Sequence, residues 1–130
     1  MIEILLSSFL GYFGAKCIKF LIGLYHQEKS LWKKFLITGG MPSAHASVTT
    51  ALSTSIFLFE GLNSTFVLSL VLLIIVARDA IGVRKSTGEQ GEILKKISKK
   101  KFNISHGHTI QEVSVGMILG FSIALLTYLL

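Results

Sequence analysis

Four apolar stretches limit what this chain can fold into. A helix that crosses a bilayer needs about 20 mainly apolar residues. Segments of that kind run from Ile2 to Tyr25, Pro42 to Phe59, Thr65 to Ile81 and Ile110 to Leu130. Between the second and third, Gly61-Leu62-Asn63-Ser64 reads as a short turn. Only His26–Met41 and Gly82–Thr109 remain as long connections. Charged residues make up 15% of the 130 positions, against about a quarter in a soluble domain. The expected fold class is therefore all-α: a polytopic integral membrane protein with about four transmembrane helices, residues 1–130 forming one domain.

Several classes drop out. The lone Cys17 cannot form an internal disulfide. Glu3 precedes the first apolar run and Lys16 and Lys19 follow its core, the reverse of a signal peptide, so that segment is expected to be retained. There are no heptads, internal repeats or glycine–serine linkers. No P-loop, dinucleotide glycine fingerprint or cysteine-rich zinc spacing occurs. Nothing in the spacing of His45, His108 and Asp79 favours a metal, so neither a metal nor a cofactor is expected. Nucleic acid is not an expected partner, because the basic residues lack interleaved aromatics for base stacking.

The net charge of +6 is unevenly placed. His26–Met41 carries Lys29, Lys33 and Lys34 against Glu28. Gly82–Thr109 carries Arg84, Lys85, Lys95, Lys96 and Lys99-Lys100-Lys101 against Glu89 and Glu92. Four crossings place both connections on one face, opposite Glu3 and Glu60. Lysine and arginine next to spanning segments mark the cytoplasmic side. A phosphate site also gathers cations, so the surplus has two candidate causes.

Three motifs carry chemistry. In Gly39-Gly40-Met41-Pro42-Ser43-Ala44-His45, the proline suits the first position of a helix, and the glycines allow a tight turn. Ser43 and the free N–H groups of that turn form an anion site, beside which His45 can donate a proton. An ordinary helix start with an interfacial histidine fits the same residues. In His106-Gly107-His108-Thr109-Ile110-Gln111-Glu112, His108 and Glu112 share a helix face. A carboxylate on one ring nitrogen makes the other a better base or nucleophile. Thr109-x-x-Glu112 is equally a capping box, which the spacing alone favours. In the third motif, Arg78 to Gln90, Asp79 lies near the end of an apolar helix, where an ionisable group suggests a site. Its expected partner is Arg78, Arg84 or a lysine. The planar fork of Arg84 suits two phosphate oxygens. Arg78, the run Lys99–Lys101, Lys16 and Lys19 read most simply as cations snorkelling to lipid headgroups.

Together these motifs resemble the type 2 phosphatidic acid phosphatase superfamily, which includes the vanadium-dependent haloperoxidases. The likeness is strongest to its divergent membrane branch. That branch is marked by Gly-Gly-Met-Pro-Ser-Ser-His, Asp-x-x-Gly-Val-Arg-Arg with a later Gly-x-Gln, and Gly-His-x-x-x-Glu. Here they read Gly39 to His45, Asp79 to Lys85 with Gly88-Glu89-Gln90, and Gly107 to Glu112. The resemblance implies one membrane-embedded phosphatase-like domain with no required metal. It implies that His108 is the nucleophile, that Glu112 orients it, that His45 protonates the leaving alcohol and that Ser43 binds phosphate. The superfamily's Lys…Arg-Pro motif is missing, and Lys101-Phe102 stands where Ser-Arg is usual. The phosphate cradle then falls to Arg84 and Lys85, with Lys19 and Asp79 beside them. Ala44 replaces a small or hydroxyl residue of the motif.

The function implied is that of a lipid phosphate phosphatase. It would hydrolyse a phosphomonoester such as phosphatidylglycerol phosphate or phosphatidic acid through phosphohistidine, at the cytoplasmic face of the cell (inner) membrane. Two alternatives stand beside it: a phosphatase for undecaprenyl or another isoprenoid diphosphate, and a non-catalytic protein that binds anionic lipids through the same basic face. A relay of protons through Asp79 and the histidines is a third class. Expected partners are the lipid phosphate substrate and membrane lipids. Four helices enclosing a charged site also leave room for a homo-oligomer.

Overall fold

The computed structural model describes residues 1–25, 40–98, 104 and 107–130. Among these, five helices follow in order: α1 (Ile2–Tyr25), α2 (Ala44–Glu60), α3 (Ser64–Ile81), α4 (Val83–Ser98) and α5 (Ile110–Leu129). The chain is an all-α membrane protein. Three helical stretches are long and apolar enough to cross a membrane: Ile2–Tyr25, the continuous Ser64–Ser98, and Ile110–Leu129.

The fourth expected span, Pro42–Phe59, is realised as the 17-residue α2. At about 1.5 Å per residue it is somewhat shorter than the ~30 Å hydrocarbon layer. It is also rich in hydroxyls, with Ser47, Thr49, Thr50, Ser53 and Ser55 buried. Its position explains that composition, because α2 is the central helix and packs against α1, α3 and α5. Lipid does not drive such helices together, so small residues that allow close approach do the work. Ser47 Oγ donates to the Gly11 carbonyl of α1 at 2.8 Å. On the other side, a Cβ on Gly116 of α5 would lie 2.5 Å from the Ser43 carbonyl oxygen, and one on Gly120 would overlap that of Ser47. The apolar surface points outward instead, as at Leu68, Ile74, Ile75 and Ile118.

Local chemistry fixes the helix ends. Asn63 caps α3 by accepting from the Phe66 amide at 2.7 Å. Gly61 closes α2 with φ 74°, a left-handed conformation that favours glycine. Ser43 is the N-cap of α2. Pro42 therefore precedes the cap instead of opening the helix, and the expected placement at the first helical position is corrected; its peptide bond with Met41 is cis. Gly82–Thr109 was expected to be a connection, yet most of it is α4. The chain breaks helix only at Gly82 (φ −98°, ψ −82°) before re-entering it.

Contacts along α2 give the direction of each neighbour. Ala46 packs with Ala80 and Val113 at one end. At the other end the Phe57 and Phe66 rings lie 5.2 Å apart, as do those of Phe59 and Tyr128. Thus α3 runs antiparallel to α2, and α5 runs parallel to it. The Gly11–Ser47 contact, together with the electrostatic influence of Lys16 and Lys19 on His45, makes α1 antiparallel as well. Both long connections therefore leave the bundle at the end bearing His45.

Candidate active site

Two backbone hydrogen bonds bring the three motifs together. The Ser43 amide donates to the Glu112 carbonyl at 3.1 Å, tying the start of α2 to the first turn of α5. The His108 amide donates to the Ala80 carbonyl at 2.9 Å, tying the segment that leads into α5 to the last turn of α3. Beneath these links lies the small core of Ala46, Ala80 and Val113. The site thus rests directly on a small buried core.

His108 Nδ1 lies 3.2 Å from Glu112 Oε2. The same oxygen accepts from the Thr109 amide at 3.0 Å, while Thr109 Oγ1 accepts from the Glu112 amide at 3.3 Å. Both readings of this spacing therefore hold at once: Glu112 completes a capping box and also engages the imidazole. A carboxylate at Nδ1 favours the tautomer whose lone pair sits on Nε2. The ring is only 3% exposed. Burial holds its pKa below the ordinary imidazole value; the positive charges of Lys19 and Arg84 push the same way, and the hydrogen bond with Glu112 opposes them.

His45, in the first turn of α2, is half-buried. Arg84, His108, Lys16 and Lys19 all act on it electrostatically. Arg84 Nε donates to Asp79 Oδ2 at 2.5 Å across the Gly82 break, which answers the question of Asp79's partner. Asp79 thus faces a cation and steers the guanidinium. Gly107 explains how closely the loop before His108 approaches. A Cβ there would overlap the Lys85 amide nitrogen and lie 2.8 Å from the Arg84 carbonyl carbon.

The remaining expectations fall out unevenly. Ser43 is fully buried, and its Oγ accepts from the Ala46 amide at 3.4 Å, the geometry of a helix cap. Lys85 is exposed, and the cations that act on both histidines are Lys19 and Arg84. Arg78 is also exposed. Gly39, His106 and Lys99–Lys101 lie outside the described residues. Lys16 and Lys19 overturn the snorkelling expectation, being 8% and 4% exposed within the bundle. A sequence signal exists for Lys19, which continues the buried run Ser7, Gly11, Ala15 at four-residue spacing, whereas Lys16 lies about 100° round the helix from Ala15. Lys16, whose ammonium also lies 5.7 Å from the Tyr12 ring centroid, joins the site residues that sequence reasoning left out. Among the described residues no three His, Cys, Asp or Glu side chains are grouped to hold a metal. A groove of about 550 Å³ is lined by Ile4, Leu5, Leu52 and Ile56 toward the opposite end of α2. It is apolar and distinct from the histidine cluster.

The sequence profile of the divergent PAP2 family matches residues 2–123, nearly the whole chain. The chain belongs to the divergent PAP2 family. It is also 40% identical over 94 residues to the uncharacterized membrane protein YuiD of Bacillus subtilis (strain 168). That match covers 72% of this chain and 60% of the relative, so the chain spans well under the relative's full length. No solved structure matches it.

Proposed function

We propose that this member of the divergent PAP2 family hydrolyses a lipid phosphomonoester through a phosphohistidine at His108. The observation that carries the reading is the His108–Glu112 pair, 3.2 Å apart, set among Lys19, Arg84 and His45. In the proposed reaction the Nε2 lone pair attacks phosphorus as the bond to the lipid oxygen breaks. The departing oxygen takes a proton from the imidazolium of His45 and leaves as the alcohol. Water then attacks phosphorus, the N–P bond breaks, and the water proton returns to His45 as inorganic phosphate departs. Arg84 and Lys19 stabilise charge on the equatorial oxygens. Asp79 holds the guanidinium, Ser43 fixes the start of α2 beside His45, and Lys85 lies at the margin. His108 is nearly closed to solvent, so the reaction requires the lipid phosphate to open an approach to it. The substrates that suit a cytoplasmic site in the cell membrane are phosphatidylglycerol phosphate and phosphatidic acid.

A second reading draws on the same burial. A 3% exposed histidine that anchors α5 to α3 also suits a protein that binds anionic lipid without turnover. Purified protein in lipid–detergent micelles separates the two. The phosphatase releases phosphate without added metal, is inhibited by vanadate, and loses at least about 10³-fold in kcat on His108→Ala. Lipid binding with no release in the wild-type protein would support the binding reading. Full turnover in His108→Ala would remove the nucleophile assignment.

A further inference from the structure

The amphipathic helix α4 has no place in the proposed reaction apart from Arg84 and Lys85 at its start. At about 100° per residue, Val83, Ile93, Leu94 and Ile97 fall within an arc of about 100°. Each of the four is more than half exposed. Lys85, Glu89, Glu92 and Lys96 occupy the opposite side, with Lys95 beyond its edge near the helix end. A third side is turned inward, where Gly88 is buried and Gly91 meets the Ile104 side chain. Among the helices α4 packs against α3 alone. The aliphatic stripe is therefore covered by nothing in the described protein. Meanwhile α4 follows α3 after the single break at Gly82, and α3 is apolar and outward-facing for most of its length.

We infer that α4 lies in the plane of the membrane interface, with Val83, Ile93, Leu94 and Ile97 set among the acyl chains and Lys95 and Lys96 against anionic headgroups. The occupant of this face is the bilayer. Two observations point to it. The helix follows directly on α3, whose apolar side chains are largely exposed, and it carries four cations against two carboxylates, the charge balance that anionic lipids attract. A helix standing off into water would leave four aliphatic side chains hydrated in a row. This placement does not depend on the phosphatase reading. It would hold Arg84, on the inward side, at headgroup depth.

Site-directed spin labelling tests it without using activity. Full-length protein carrying Cys17→Ser receives one nitroxide at a time through Ile93→Cys, Ile97→Cys, Glu89→Cys or Lys96→Cys. It is then reconstituted into vesicles of phosphatidylcholine and phosphatidylglycerol. Collision with oxygen, which partitions into the bilayer, is compared with collision with a water-soluble nickel chelate. The oxygen-to-nickel ratio should be several-fold higher at Ile93 and Ile97 than at Glu89 and Lys96. Two positions per face keep a single misfolded variant from deciding the result. Equal, high nickel access at all four positions would overturn the inference. So would labels at Ile93 and Ile97 shielded from both reagents and broadened by a neighbouring spin, which would assign the stripe to a second copy of the chain. In vesicles of phosphatidylcholine alone the contrast should shrink; an unchanged contrast would overturn the role given to anionic lipid.

Discussion

His108 shows how one side chain can hold two duties. Its partner Glu112 uses a single oxygen both to cap α5 and to engage the ring. Because burial holds the pKa of His108 down, the neutral, nucleophilic form persists as pH falls below the ordinary imidazole value of about 6.5. The acid limb of kcat/KM should therefore lie below the usual imidazole range in a pH profile of phosphate release. Glu112 raises that pKa, so Glu112→Gln should move the limb further to acid while lowering kcat about tenfold or more. A limb that moves toward neutral pH would contradict the coupling. The sign for stability follows from the same depression. The unfolded chain takes up its proton first, so the fold loses stability as pH falls through about 6.5. The spacing of His108 and Glu112 made their pairing legible in the sequence. The burial of Lys19 was legible only as the continuation of a helical run of small residues, which the general habit of lysines at helix ends outweighed; Lys16 lies off that run, and its burial had no such signal. That Ser43 Oγ would turn inward as a cap depends on where α2 begins, and Pro42 was a misleading marker for that.

At the scale of elements, the long apolar runs, the Gly61–Ser64 turn and the cap at Thr109 could be read directly, because each is a local rule. The centrality of α2 could not. Its hydroxyls look unfavourable for a span until the close approach of Gly11, Gly116 and Gly120 explains them. Helix α4 was read as connection because Gly88, Gly91 and its many charges outweigh the spacing of Ile93, Leu94 and Ile97. Where backbone meets backbone, an added methyl must be costly. Gly107→Ala places a Cβ against the Arg84–Lys85 backbone. It should cost about 1–3 kcal/mol, lowering Tm in detergent, and should reduce phosphate release by displacing Arg84. At Gly14 a Cβ would meet only the end of the Ile123 side chain at 3.3 Å. Gly14→Ala should leave both measurements nearly unchanged, and equal losses at the two positions would contradict the close-approach argument.

For the whole molecule, the antiparallel order of α1, α2 and α3 gathers both cation-rich connections at the histidine end and leaves the Gly61–Asn63 turn at the other. The proposed function takes the histidine end to be cytoplasmic, on the ground of loop charge. In intact cells carrying Cys17→Ser, a membrane-impermeant thiol reagent should label Asn63→Cys and spare Lys96→Cys. The reverse pattern would place the site outside and turn the substrate toward isoprenoid diphosphates. The family and the all-α class were legible from three short motifs and four apolar runs. The proposed turnover depends first on His108 as nucleophile. The direct test is to mix protein with a lipid monoester carrying radioactive phosphate, quench in alkali, and map the label. The label should be acid-labile, alkali-stable and confined to the peptide bearing His108, and it should be lost in His108→Ala. Sustained phosphate release with no label on that peptide would contradict the proposed mechanism.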